Sequence, residues 1–202
     1  MIGPKIFNTS TFCAAALASA LLVPVWSIAA PVSYSIDPSH TYPSFEADHM
    51  GGLSTWRGKF NRSAGTVVLD RAAKEGTIAV EVDVASVDFG HDEMNAQARS
   101  SKILDTAKFP KATFNGAFSA FDGDRPTEAK GDFTLHGVTR PMTMKIGKFK
   151  CIDHPLEKRE ACGADVEASF DRRDFGIDFA LDMGFDPKVD LNIQVEALRD
   201  PK

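Results

Sequence analysis

The chain has 202 residues, with 23 Lys and Arg against 28 Asp and Glu, a net charge of −5 and 43% apolar residues. That length supports one well-cored domain, and an acidic balance without a basic stripe argues against nucleic acid as a partner. Fifteen Phe stand against two Tyr, so most of the aromatic surface carries no hydroxyl that burial would leave to be satisfied.

Read from the start, the first segment has the pattern of a leader. Lys5 is the only charged side chain before Asp37, and Thr11–Ile28 is rich in Ala, Leu and Val, with Pro24 near its end. A basic start, a short apolar run and a small-residue exit describe a secretory signal peptide. Ser27 and Ala29 are small residues two apart, and a cut after Ala30 would set Pro31 against the scissile bond, so cleavage is expected after Ala29. The apolar run is short for a membrane span, which needs ~20 residues. The expected organisation is residues 1–29 as signal peptide and 30–202 as one exported domain.

The exported part alternates apolar and polar residues, the period of strands with one dry face. Strands are predicted at Ser33–Asp37, Tyr42–His49, Gly58–Phe60, Thr66–Asp70 and Thr77–Val84. Further strands follow at Ala112–Phe121, Thr127–Leu135, Thr139–Lys150, Gly163–Phe170, Asp174–Leu181 and Lys188–Ala197. The last of these is the most regular, with Val189, Leu191, Ile193, Val195 and Ala197 on one face. Asp92–Asp105 is predicted as the one helix, opened by acidic residues that suit the positive end of its dipole. Gly51-Gly52-Leu53-Ser54-Thr55-Trp56-Arg57-Gly58 reads as a loop with glycines at both ends.

Two cysteines remain after export, Cys151 and Cys162, flanking a charged stretch with Pro155. An even count in an oxidising compartment points to a structural disulfide across a loop between two strands. The five histidines, His40, His49, His91, His136 and His154, show no zinc-ligand spacing. No Gly-x-Ser-x-Gly elbow or phosphate loop is present. The expectation is therefore no catalytic residue, no metal and no cofactor.

Such a strand set builds either a two-sheet sandwich or a barrel, and periodicity does not separate them. On the residues alone, inward phenylalanines read as filling of a packed core.

Five motifs in order add to this. Tyr34-x-Ile36-Asp37-x-x-His40 with Phe45, His49, Gly58 and Phe60 opens the set. Arg99-Ser100 and Lys108-Phe109-Pro110-x-Ala112-Thr113-Phe114 follow. Gly131-Asp132-Phe133-Thr134-Leu135-His136-Gly137-Val138-Thr139-Arg140-Pro141 is the most diagnostic, and Arg173-Asp174-Phe175-Gly176-Ile177 and the closing strand complete it. From Tyr34 to Glu196 the chain resembles the YceI-like, polyisoprenoid-binding family. It departs from that pattern at Gln97-Ala98, where the family often has His-Leu, and at Ile103-Leu104, where an aromatic pair is usual.

The resemblance implies a mainly β, extended antiparallel, lipocalin-like barrel with one short helix and an apolar lumen. It also implies a periplasmic protein whose lumen takes a polyisoprenoid, quinone-like or fatty-acyl lipid, for carriage, storage or stress response. The expected lumen residues are Phe45, Phe60, Phe114, Phe118, Phe133, Met142, Met144, Phe170, Phe175 and Phe179. His49, Trp56 and Arg57 are expected at a mouth, against a head group. Partners would be the hydrophobic ligand itself and, transiently, a membrane or membrane-bound quinone-using proteins; a homodimer is neither required nor forbidden. Two alternatives stand beside this reading: a metal-dependent or lipid-modifying enzyme using His40 and His49, and a ligand-free structural or stress-related envelope protein.

Overall fold

Every second side chain of a strand points to the same face, and the apolar members of this chain's alternation all turn to the inside of one sheet that closes on itself. The computed structural model describes residues 1, 3 and 30–201; apart from those first two positions, the expected leader lies outside them. The strands are β1 Val32–Ile36, β2 Tyr42–His49, β3 Ser54–Phe60, β4 Ser63–Asp70, β5 Glu75–Asp83 and β6 Val87–Asp88. After helix α1, Asp92–Arg99, come β7 Lys111–Asp122, β8 Arg125–Leu135, β9 Val138–Asp153, β10 Glu160–Asp171 and β11 Lys188–Arg199.

The eleven strands reduce to eight antiparallel staves. β11 pairs with β1 and β2 on one edge, β4 and β3 lie beyond these, and β5 and β6 beyond those. Each of these three pairs is one long strand with a bend. From β5 the order runs β7, β8, β9, β10, β11, and β11 meets β1 again, so the barrel is closed. Each bend is bridged by a substitute for the lost ladder. At the first, the buried Thr41 hydroxyl donates to the Glu196 carbonyl and accepts its N–H, both at 3.1 Å. At the other two, the Asn61 and Arg62 N–H groups donate to the Ser86 carbonyl and hydroxyl at 3.1 and 3.0 Å.

The curvature needs positions without a side chain. Gly116 on β7 faces Gly131 on β8, and a Cβ on either would stand 2.3–2.5 Å from neighbouring backbone. Inward glycines of this kind are how a sheet coils tightly enough to close. The β8–β9 turn is the two residues His136 and Gly137, both at positive φ, as a two-residue hairpin that follows the strand twist requires.

The ends of the barrel differ. At one end Tyr34, Ile36, Leu69, Cys162 and Ala197 form a buried cluster, with Phe118, Phe121 and Phe149 against it. Cys151 and Cys162 sit directly opposite on β9 and β10 and are disulfide-bonded, their Cα atoms 4.0 Å apart. The other end carries the β2–β3 turn, α1 and the long β10–β11 loop.

Three local expectations are corrected. Asp174–Leu181 is not a strand. The Asp171 carboxylate accepts the Arg173 N–H at 2.9 Å to start a tight turn over Arg172–Phe175. The Arg172 guanidinium then donates to the carbonyls of Ile177 and Phe179 at 2.9 and 2.8 Å, in place of a strand partner. The helix stops at Arg99, because Ser100 turns extended and its hydroxyl takes the Gln97 carbonyl at 2.7 Å. That local side-chain bond competes with the next helical turn. Finally, β6, only two residues long, escapes notice because no period is visible in so short a strand.

Candidate functional site

In a packed core the inward side chains of the staves would be buried. Here Leu191, Ile193 and Val195 on β11, Ala164 and Val166 on β10, and Ile78, Val80 and Val82 on β5 are all only half-buried. They face a cavity of about 500 Å³ that they line together with the other staves. An eight-stranded barrel has an interior wide enough for packed side chains or for one small ligand; this one keeps the space. The lining is apolar along the shaft, and its charged members, Asp48, Arg172 and Asp186, all belong to the loop-bearing end.

The closed end supplies the floor. Tyr34, Leu69, Pro126 and Cys162 line the cavity there, and all are buried. The Tyr34 hydroxyl donates to Glu160. Burial first, and then this bond and the nearby Glu160 charge, push its pKa up to about 12. The floor is thus sealed by a hydroxyl that stays neutral and a disulfide, in addition to apolar packing.

At the open end the lining residues Phe179 and Asp186, both in the β10–β11 loop, are exposed. His49, at the end of β2, stacks on Trp56 of β3 with ring centres 4.4 Å apart, and Phe185 stands edge-on to it at 5.3 Å. Asp48 ties the two loops: its carboxylate accepts the N–H groups of Gly51 and Gly52 at 2.9 and 2.6 Å and of Asp186 at 3.0 Å. These bonds, that from Asp186 foremost, hold its carboxyl below the usual carboxylate range. Burial lowers the Arg172 guanidinium from its ordinary value. α1 leans over the same opening with Met94, Gln97 and Ala98. It is anchored by Asn95, which accepts the Phe89 N–H at 2.7 Å and donates to Asp88 at 3.2 Å.

Of the ten residues expected on the lumen, Phe45, Phe60, Phe114 and Phe118 line the cavity, as do Phe133, Met144, Phe170 and Phe179. Phe175 does not. It is 1% exposed, packed edge-on to Phe133 and Phe170 at 5.4 and 5.2 Å from the first turn of the β10–β11 loop. Met142 also lies off the cavity, lining with Phe175 a shallow depression across β9, β10 and β11. The Arg172–Phe175 turn packs on β9 and β10 there. His49 and Trp56 are at the mouth, whereas Arg57, one position on from Trp56, faces outward and pairs with Glu46 at 2.8 Å.

Phe149 lines the cavity although its parity on β9 is wrong. Gly147 is an extra residue: Ile146 pairs with Val166 and Lys148 with Asp165, so the strand changes face between them. Such a β-bulge re-aims everything beyond it. Ser119 does the same on β7 and turns Phe121 to the closed-end cluster. Phe89, Phe185, Ile103 and Leu104 also reach the cavity from loops, where no periodicity marks them.

The histidines do not converge. His40 lies in the turn before β2 and His49 ends that strand, so the length of β2, about 23 Å at 3.3 Å per residue, stands between them. His40 is exposed and bonded to Asp37 at 2.7 Å, which raises its pKa. His91 caps α1, His136 bonds the Phe175 carbonyl and His154 accepts two N–H groups in the β9–β10 loop. Among the described residues no group of three His, Cys, Asp or Glu gathers as a metal site.

Comparison with known proteins agrees with this architecture. The model of the "YceI-like domain" family matches residues 34–197. The Escherichia coli protein YceI is 33% identical over 175 residues, 85% of this chain and 89% of that protein. BcnA of Burkholderia cenocepacia has the same fold, with a TM-score of 0.63 at 19% identity over 80% of this chain and 98% of that one. A polyisoprenoid-binding domain of Saccharophagus degradans, described as implicated in plant cell wall breakdown, gives 0.60 at 14% identity over 84% and 99%. The closed eight-stave barrel, its single short helix and the family match over most of the chain together make this protein a member of the YceI-like family.

Proposed function

We propose that this protein binds the hydrocarbon chain of a lipid, isoprenoid or acyl, inside the barrel, and that it acts as a carrier or store rather than an enzyme. The observation that carries this reading is the half-buried inward face of the staves: apolar side chains that a packed core would cover border about 500 Å³ of space. That volume lies within the ~300–1,000 Å³ of small-molecule sites. Each methylene taken from water adds about 0.8 kcal/mol, so about ten give roughly 8 kcal/mol, the micromolar scale, before ordering costs. The polyisoprenoid-binding neighbour supports the same chemistry.

The head group would sit at the mouth with His49 and Trp56. The charged lining there holds two carboxylates against one guanidinium already engaged by two carbonyls. This suits an uncharged, oxygen-bearing head such as a quinone's better than a phosphate. No cofactor is invoked. We further read residues 1–29 as a cleaved signal peptide and the site of action as the periplasm, in lipid carriage, storage or stress response.

Organic extraction of natively purified protein, followed by mass spectrometry, tests the binding. A long-chain lipid near one per chain is expected, and its consistent absence from protein isolated out of its own membrane-rich source would refute the reading. N-terminal sequencing of protein from the periplasmic fraction, starting at Ala30, tests export and processing.

A further inference from the structure

The apolar surface of the lumen does not stop at its mouth. The β2–β3 turn presents Met50 and Leu53, 49% and 74% exposed, and the β10–β11 loop presents Phe179 and Met183, 38% and 61% exposed. These two tips belong to segments far apart in sequence yet touch each other. A Cβ on Gly51 would lie 3.2 Å from the Gly184 carbonyl oxygen, and Asp48 bonds backbone from both tips. Met50 and Ala180 are held at positive φ, a conformation uncommon outside glycine, so each tip is a shaped turn. Phe179 belongs to both surfaces: it lines the cavity and is exposed on the rim.

We infer that this rim is a docking surface for the face of a lipid bilayer, through which the ligand enters and leaves. The inference rests on the lipid-binding reading above. A bilayer is favoured over a protein partner because the rim is continuous with the lumen. With Phe179 on both surfaces, a hydrocarbon chain moving from bilayer to shaft passes along apolar side chains. The charges around the rim select the kind of bilayer. Asp48, Asp178, Asp182 and Asp186 face or flank the tips. Arg172 is engaged by two carbonyls, while Arg57, Arg173 and Lys188 are paired with Glu46, Asp171 and Asp190. An acidic rim on a chain of net charge −5 gains nothing from anionic lipid, so the surface is a zwitterionic one and the attraction is apolar burial.

The opposite end provides an internal control. Ile152 and Leu156, in and beside the β9–β10 loop, are also exposed, at 46% and 83%, but the buried floor lies between them and the cavity.

The test uses the full exported protein, phosphatidylethanolamine–phosphatidylcholine vesicles and a fluorescent prenyl chain. Wild type should float with the vesicles, with little dependence on salt, and extract the probe from them. Leu53→Asp with Met183→Asp should cut flotation and extraction about tenfold, the scale of about 1.4 kcal/mol of lost apolar contact. The same variant should bind probe delivered from ethanol within about twofold of wild type, and Leu156→Asp should behave as wild type throughout. Extraction by the double variant at the wild-type rate would overturn the proposal, as would equal impairment by Leu156→Asp or flotation confined to anionic vesicles. A concentration-dependent dimer that the double variant dissolves, with flotation unchanged, would assign the rim to a second copy and also overturn it. If wild type binds no ethanol-delivered probe yet still floats, the lipid-binding reading fails and the docking surface survives.

Discussion

The two ends of this barrel are built from the same eight staves and do opposite things. At the closed end, covalent and hydrogen-bonded closures are added to apolar packing: the Cys151–Cys162 disulfide, the Tyr34–Glu160 bond and the cluster around Leu69. At the open end large apolar groups are left in water, and two loops are joined through one carboxylate. Both ends carry a buried cluster, that of the open end around Val84, Leu135 and Phe175, but only the closed end is crosslinked, and the exposed apolar tips belong to the open end alongside the cavity's mouth.

The largest way to break this contrast is at the floor. Cys151→Ser with Cys162→Ser should cost about 3 kcal/mol, the loop-closure value for so short a crosslink, read by urea unfolding. The rim variant described above should stay within about 0.5 kcal/mol of wild type in the same assay. A rim variant that loses as much stability as the floor variant would erase the distinction.

The next sharpens the hollow interior itself. Ala164→Trp places a ring where Ala164 now borders the cavity. Ligand affinity should fall about a hundredfold, roughly 2.7 kcal/mol, by displacement titration. Stability should hold, because the ring enters space and not packed neighbours. In a filled core the same change would overpack and cost about 1–3 kcal/mol.

Smaller still is Tyr34→Phe, which removes a donor from Glu160 and should cost about 1 kcal/mol. The wild type adds a pH signature. Because the folded pKa is raised to about 12, the Tyr34 contribution is fully present below the ordinary tyrosine range. It is lost as pH rises through that range toward the folded value. Alkaline unfolding curves of wild type and Tyr34→Phe should therefore approach each other and then cross, because burial penalises the tyrosinate and Phe has no ionised form.

The smallest effect belongs to the loop tie. The carboxyl of Asp48 is lowered in the folded protein, so its contribution is present above the ordinary carboxylate range and fades as pH falls through its own lower value. Asp48→Asn should leave unfolding nearly unchanged while speeding hydrogen exchange at the Gly51 and Gly52 amides. In wild type the protection of the same amides, measured against their intrinsic exchange rate at each pH, should fall as acid protonates Asp48.

Much of the wall was legible in sequence because alternation is a direct consequence of strand geometry. Val189 through Ala197 reads correctly residue by residue. What alternation cannot register is a change of phase or a chain that turns on its own side chains. One extra residue hides Phe149 from the alternation, Arg57 neighbours Trp56 in sequence yet takes the opposite face of β3, and Phe175-Gly176-Ile177 imitates a strand while wrapping Arg172. Packed core and open lumen also share one pattern. Only the half-buried state of residues such as Ile193 separates them, and that is a property of the assembled barrel.

The bulge at Gly147 acts on β9 as a frameshift acts on a message. Before it, even-numbered residues face the lumen; after it, odd-numbered ones do, and Phe149 and Cys151 arrive at the floor in phase with Ala164 and Cys162. Flattening the bulge while keeping Gly147 in the ladder would leave the half of β9 toward the mouth in frame and present Lys148 and Lys150 to the interior, whereas deleting Gly147 would give a regular strand with Phe149 and Cys151 still inward. The floor of the barrel is thus specified in a numbering phase of its own, set by where one residue bulges out of the ladder.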